Sequence, residues 1–437
     1  MSTNTVLTDV SAVFPSARVP AALLALAFAA AGTACAGGAG EDSSASAADL
    51  AGPVAARPPM GWSSWNTFAC NIREDLIVTQ ADALVTSGMR DLGYVYVNLD
   101  DCWMAPARDA NGDLQADPVR FPSGIAALAA AMHARGLKLG IYSSPGPQTC
   151  MGRGLQGLTT GPHPGSEGHE VEDAARFASW GIDYLKYDRC TAPKDDAERR
   201  FSLMHDALAS TGRRIVYSIN PDGATAAKPW STYANLWRTT PDVDPTWHRM
   251  WWSEGWWSTG IIDIVDQNAP LYSDASPGHW NDPDMLEIGV KKPVLWTHLQ
   301  LSDVEARTQF SMWAMMAAPL IAGNDLTAMS EATRATLANA EVIAIDQDAA
   351  GVQGRRVSKN GDLEVWAKPL ADGGVAVALL NRGTRAANVE AKWSDVGVRA
   401  ARAKVRDVWA HAERGVFAGS YAAQVAAHGV VVVKVAR

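Results

Sequence analysis

The chain has 437 residues and a formal net charge of −9, from 38 Lys and Arg against 47 Asp and Glu. Hydrophobic residues at 47% and charged residues at 19% exclude a disordered chain, and the acidic balance with no basic block excludes nucleic acid as a partner. The length allows one large α/β barrel with an appendage, or two to three smaller domains.

In chain order, the first feature is the apolar run Val19–Ala31, with Arg18 before it. It is too short to span a bilayer and suits the core of an export signal. Gly-Thr-Ala-Cys35 and a Gly/Ser/Ala-rich tract follow. Residues 1–35 therefore read as a signal peptide and 36–56 as a flexible linker. Either Cys35 is acylated, giving a lipid anchor as the only membrane attachment, or cleavage falls at the neighbouring small residues and leaves none. Both readings predict an exported protein. The remaining cysteines, Cys70, Cys102, Cys150 and Cys190, are even in number, which in an exported chain suggests two disulfides with three pairings open. No Cys-x-x-Cys or His-Glu-x-x-His is present, so no metal site is expected.

From 57 to 348 short β-like runs alternate with helical stretches. Strands are expected at Gly61–Trp65, Tyr94–Leu99, Lys138–Tyr142, Asp183–Tyr187, Arg214–Ile219, Leu236–Arg238, His279–Asn281 and Pro319–Ile321. Helices are expected at Glu74–Leu92, Gly124–Arg135, Val171–Trp180, Ala197–Ala209 and Asp303–Met316, with Met315 and Met316 as core. Eight strands with helical intervals, and no Gly-x-Gly-x-x-Gly after the first, predict a (β/α)8 TIM barrel rather than an open doubly wound sheet. From 349 to 437 the Val-rich runs LEVWAKPL, GGVAVALLNRG, AKVRDVWA and GVVVVKVAR, broken by turn residues, predict a smaller antiparallel β-sandwich domain.

Barrels of this kind carry their chemistry at the C-terminal strand ends. Asp100 and Asp101 end one strand, Asp188 another, Asp242 follows a third, and Asp282 and Asp284 follow a fourth. A single Asp at such a place is ordinarily a helix cap or turn residue, but a set at four strand ends is a site. Period-two alternation puts Tyr184, Lys186 and Asp188 on one face and Leu185 on the other, and puts Asn98 with Asp100. Asp101 points away unless the chain turns. Two carboxylates in an aromatic pocket equip a glycosidase, one as nucleophile and one as acid/base. Trp outnumbers Phe and Tyr, 17 against 8 and 9, which fits sugar handling without proving it. Trp251, Trp252, Trp256 and Trp257 recur at helix-like spacing, which suggests packing of a helix; Trp65 and Trp103, beside strand ends, are the candidates for stacking on a sugar.

Six motifs, MGWSSWNTFAC, YVNLDDCW, LGIYSSPGPQTC, DYLKYDRC, HWNDPDML and VIAIDQDAAGVQG, together resemble glycoside hydrolase family 27, the melibiase-like α-galactosidases and α-N-acetylgalactosaminidases. The resemblance implies a (β/α)8 barrel with a C-terminal β-domain, retention of configuration and no cofactor. It implies that Asp188 is the nucleophile, Asp242 the acid/base and Arg238 the ligand of the sugar's 2-hydroxyl. Trp65, Asp100, Asp101, Tyr142 and Lys186 match positions lining the sugar pocket; Asn220 and Asp284 join the binding set. The disulfides map to Cys70–Cys102 and Cys150–Cys190. The loop Tyr217–Gly223 departs from the usual α-galactosidase pattern where the carbon-2 substituent is read. The expected function is thus a retaining exo-glycosidase releasing terminal α-galactose. The alternatives are a family member specific for α-N-acetylgalactosamine, β-L-arabinopyranose or isomaltodextrin, and a carbohydrate-binding protein without catalysis; a lectin descendant has no need of both Asp188 and Asp242.

Overall fold

The structure, a computed structural model, describes residues 53–152, 161–221, 230–249, 251–253, 256–257, 259–294 and 297–436; at 251–253, 256–257, 293–294 and 297–298 it describes the backbone alone. The expected signal peptide with Cys35, most of the linker, and the loop from Asp222 onward lie outside these residues.

Eight parallel strands form the barrel: β1 Met60–Ser63, β2 Tyr96–Asn98, β3 Lys138–Ser143, β4 Tyr184–Asp188, β5 Val216–Asn220, β6 Leu236–Arg238, β7 Trp280–Asp282 and β8 Leu320–Ala322. The ladder runs β8-β1-β2-β3-β4-β5-β6-β7. Its two ends meet through one bridge, where the Leu286 N–H donates to the Ile321 carbonyl at 2.8 Å. Strand alternation explains the layering. On β4, Leu185 and Tyr187 point outward into the helix layer, Tyr187 against Phe201. Tyr184 points inward and joins Tyr96, Val216, Leu236 and Trp280 in an apolar plug that fills the barrel base. The polar end of each inward row is thereby left at the opposite rim. Gly140 on β3 has no side chain because a Cβ there would collide with the Asn98 amide, so the glycine gives Asn98 its place inside the barrel.

The helices Glu74–Thr86, Gly124–His133, Glu170–Trp180, Ala197–Ser210 and Asp303–Met315 lie near their expected bounds. Three local expectations are corrected. The first helix stops at Thr86 because Gly88 turns left-handed (φ 81°), and Arg90–Leu92 is a separate 3-10 turn. Trp65 does not extend β1; it opens a short helix, Trp65–Phe68. The Trp251–Ser253 and Trp256–Trp257 backbones pair as an antiparallel ribbon rather than a helix, in keeping with the strand preference of Trp. A helix at Ile261–Asn268, unanticipated from the sequence, has Ile261, Ile262, Ile264 and Val265 fully buried.

The C-terminal domain is an antiparallel sandwich. Its strands are β9 Arg355–Asn360, β10 Leu363–Pro369, β11 Val375–Asn381, β12 Ala387–Lys392, β13 Arg402–Asp407, β14 Ala412–Ala418, β15 Ser420–Val425 and β16 Val430–Ala436. One sheet is ordered β9-β10-β11-β16-β13-β14, and β12 pairs with β15. Val377, Leu379, Val389, Trp393 and Val433 fill the space between them. Helix Asp303–Met315 is buried almost all round, Met312, Trp313 and Met315 at 0% exposure. The barrel covers one side of it. The sandwich covers the other, with Lys368 Nζ donating to the Ala314 carbonyl at 3.0 Å and Trp409 Nε1 donating to Ser311 Oγ at 2.9 Å.

Candidate active site

The strand ends bring most of the expected residues together. Asp100, Lys186, Asn220, Arg238 and Asp284 line one pocket of about 510 Å³, open space at its mouth included, with Asn98, Tyr184, Ser218, Asp282 and Met285 among its other walls. Asp188 follows Lys186 on the same face of β4, and the charges that act on it most are those of Lys186, Asp242, Arg238 and Asp100. The site is thus one electrostatic cluster.

Lys186 is half-buried and held by Asp100, Nζ to Oδ2 at 2.7 Å. Burial alone pushes its ammonium down, but Asp100 and Asp188 more than reverse that, so Lys186 stays charged. Asp100 is fixed in turn: its backbone N–H donates to Ser64 Oγ at 3.0 Å, and its Oδ1 accepts the Asp101 N–H at 2.9 Å. The chain does turn after Asp100. Asp101 is buried, with its oxygens accepting the N–H groups of Cys102 at 2.6 Å and Met151 at 2.9 Å. It therefore ties the β2 and β3 loops together, and burial pushes its carboxyl up to about 6.

Tyr142, wholly buried on β3, donates its hydroxyl to Asp188 Oδ2 at 3.2 Å. Burial followed by the charge of Asp188 pushes the phenol well up, so it remains a donor. Desolvation raises the Asp188 carboxyl to about 6, with Lys186 pulling down and Asp242 pushing up. Asp242 stands at the mouth with its side chain 87% exposed and accepts from Arg238 Nη2 at 3.0 Å. Crowding by protein atoms pushes that carboxyl up, but Arg238, then Lys186, outweigh it and hold it below the usual range. The same Arg238 nitrogen lies 2.9 Å from Asp284 Oδ2. Asp284 has a left-handed backbone (φ 80°), and accepts the Val243 N–H at 2.9 Å and the Met285 N–H at 2.8 Å. Asn220 sits beside Asp188 in the β4–β5 register.

Two disulfides, Cys70–Cys102 and Cys150–Cys190, bracket the site, with Cα atoms 5.2 and 4.8 Å apart. Both follow the pairing the resemblance implied. Cys102 and Cys190 each sit two residues beyond a strand-end acid, at φ 75° and 21°, so the covalent links hold turns that an L-residue adopts only under constraint. Trp65 lies half-buried at the rim. Trp103 is not available to a ligand: it is fully buried, edge-on to Trp180, and its Nε1 donates to the Tyr142 carbonyl at 2.8 Å.

Ser218 is a pocket residue outside the expected set; it shares a face with Asn220, so alternation carried the signal for it. Asp282, expected as a strand-end acid, does end β7 and line the pocket. Desolvation pushes Asp282 up to about 6. Glu287 carried none; it is buried beside the site with Asn66 donating to it, and burial drives its carboxyl well up.

The family model for alpha galactosidase A matches residues 57–348, and that for the alpha galactosidase C-terminal beta sandwich domain matches 360–435. The chain belongs to glycoside hydrolase family 27. It is 43% identical over 373 residues to the alpha-galactosidase of Cyamopsis tetragonoloba, covering 85% of this chain and 84% of the relative. It is 46% identical over 342 residues to alpha-galactosidase A of Cellvibrio japonicus, covering 78% and 80%. Alpha-galactosidase I of Mortierella vinacea superposes with a TM-score of 0.78 at 35% identity, covering 87% of this chain and 97% of the other. Family membership makes the chain a glycoside hydrolase, and the strand-end carboxylates are the groups that such chemistry requires.

Proposed function

We propose that this glycoside hydrolase is an exported retaining exo-α-galactosidase, with Asp188 as nucleophile and Asp242 as acid/base. The observation that carries the assignment is the pairing of opposite environments. Asp188 is desolvated and hydrogen-bonded by Tyr142 beside the Lys186 ammonium, while Asp242 stands on the solvent side, where a leaving group departs. Asp188 attacks the anomeric carbon and the C–O bond to the aglycone breaks as Asp242 gives that oxygen its proton. Water, deprotonated by Asp242, then releases the sugar from Asp188.

In the free protein the proton favours Asp188 over Asp242, the reverse of what the first step needs. Arg238 is the remedy. Its Nη2 holds Asp242, and a sugar 2-hydroxyl drawing Arg238 away removes the charge that keeps Asp242 ionised. Substrate binding then lets Asp242 take up the proton that the first step gives to the leaving oxygen, while Asp188 stays ionised to attack. Asp100, clamped by Lys186 with lone pairs left over, supplies acceptors for the axial 4-hydroxyl and the 6-hydroxyl, and Trp65 at the rim offers a face for the ring. Asp101 backs Asp100. The homologous α-galactosidases support galactose as the sugar; the two disulfides support an oxidising, exported location.

The test is nitrophenol release from the α-galactoside, the α-N-acetylgalactosaminide and the β-L-arabinopyranoside. The α-galactoside is expected to give the highest kcat/KM. Turnover of another member in preference would reassign the specificity, and a well-folded protein inert on all three would overturn the enzymatic reading.

A further inference from the structure

The acid/base loop is supported from the other domain. Asp242 lies on the segment that runs from β6 to the helix Ile261–Asn268, and its own side chain touches only Arg238 among the described residues. What aims it must act on the backbone beside it. Immediately after it, Val243 N–H is held by Asp284. Further along the same side, the chain is tied at Asp244, whose N–H donates to the Thr259 carbonyl at 2.9 Å, and at Trp247, whose carbonyl accepts the Ile262 N–H at 3.1 Å. Trp247 is the apolar anchor of this loop, 6% exposed. Its indole N–H finds no hydrogen-bond partner among the described residues, so packing alone orients the ring.

The surface that orients it belongs to the β-sandwich. His428, in the turn between β15 and β16, lies flat on Trp247, ring centroids 4.5 Å apart and planes 9° from parallel. The turn is held from several sides. His428 has a left-handed backbone (φ 53°), a conformation that persists in a non-glycine residue only where its surroundings impose it. Here the His428 N–H donates to the Gly383 carbonyl at 3.1 Å, its carbonyl accepts Thr308 Oγ1 at 2.8 Å, and Nδ1 meets Glu305 Oε1 at 2.8 Å. Thr308 and Glu305 lie on the barrel helix Asp303–Met315. The barrel therefore grips the turn and the turn presses a ring on the loop of the proposed acid.

We propose that His428 is a positioning residue for Asp242, and that holding the acid/base loop is a catalytic contribution of the C-terminal domain. The inference rests on Asp242 being the acid/base. Two variants divide the contacts without opening a large cavity: His428→Phe keeps the flat ring and loses the Glu305 contact, and His428→Gln keeps a polar group and loses the ring. Each is assayed on an activated nitrophenyl α-galactoside and on an unactivated α-1,6-galactosyl disaccharide, beside Asp242→Ala and Trp409→Phe. Trp409 is a domain contact on the helix side, away from the loop.

His428→Gln is expected to lower kcat on the disaccharide about tenfold, a fraction of the ~10²–10⁴ that a general acid contributes. The nitrophenyl substrate should change less than about threefold, with KM steady. His428→Phe should keep the wild-type ratio of the two rates, and Trp409→Phe should lower Tm while leaving that ratio alone. Equal losses on both substrates in His428→Gln, or none, would overturn the positioning role while Asp242→Ala still discriminates between the substrates. If Asp242→Ala itself shows no such discrimination, the acid assignment and the positioning role fall together.

Discussion

The two halves of the barrel rim solve one problem by different means. From β1 to β4 the strand-end turns are stapled: Cys70–Cys102 and Cys150–Cys190 cross the loops that carry Trp65, Asp101 and Asp188. From β6 to β8 there is no cysteine, and the loops carrying Asp242 and Asp284 are held by hydrogen bonds, by Arg238 and by the β-sandwich behind them. Both halves contain strained turns, at Cys102 and Cys190 on one side and Asp284 on the other. The proposed nucleophile thus sits on a covalent frame and the proposed acid on a non-covalent one. A covalent frame tolerates local substitutions, whereas a frame of many weak contacts transmits them, so damage to the second half should appear in proton transfer before it appears in folding.

The comparison breaks most visibly at the carboxylates. Asp188→Ala is expected to lower kcat at least about 10³-fold on every substrate, since in the proposed mechanism no other group forms the covalent intermediate. Asp242→Ala should cost about 10²–10⁴-fold on a disaccharide and markedly less on a nitrophenyl leaving group that needs little protonation; near-wild-type rates on both would remove Asp242 from the mechanism. Next comes the staple. The double variant Cys150→Ala/Cys190→Ala opens a loop with a sequence separation of 40 residues. It should lose about 2–5 kcal/mol in denaturant unfolding, with kcat falling as Tyr142 and Asp188 lose their frame.

Smaller and sharper is the pH profile. Protonated Asp188 cannot attack, so kcat/KM should fall as pH drops through about 6, where desolvation puts this carboxyl. Lys186 holds that value down; Lys186→Met should therefore move the acid limb to higher pH, and an unmoved limb would separate Lys186 from the nucleophile. The smallest expected effect is a gain. A carboxyl whose folded pKa is raised above its unfolded value of 3.8 favours folding at low pH and loses that contribution as pH rises through about 6. Asp188→Asn should raise Tm by a few degrees at pH 7, and the gain should vanish below about pH 4.

Much of this was legible in the residues. Inward-outward alternation correctly assigned Leu185 to the helix layer and Lys186 to the lumen, because period two in a buried strand leaves no other choice. The barrel strands were found within about two residues, since each is a short apolar run between polar turns. What escaped depended on tertiary context. Trp103 and Trp65 look alike beside their strands, yet one is core and the other rim, a difference made by Trp180 and the turn at Cys102. The Trp-rich segment after β6 has helical spacing and strand geometry, because spacing is a weak constraint over so few residues. Asp101 matches a position lining the sugar pocket, and only the Met151 N–H, fifty residues on, shows its other engagement. His428 lies in an ordinary Ala-His-Gly turn, and nothing local marks the ring it meets.

The most direct test of the two-carboxylate account is to trap the intermediate. A fluorinated α-galactosyl fluoride, whose attack step outruns its hydrolysis, is incubated with the protein, and the labelled peptide is sequenced by mass spectrometry. The account predicts one galactosyl adduct, on Asp188 in the peptide DYLKYDRC, formed in step with loss of activity and retained in Asp242→Ala. An adduct on Asp242 or another residue, or inactivation with no covalent sugar at all, would contradict it.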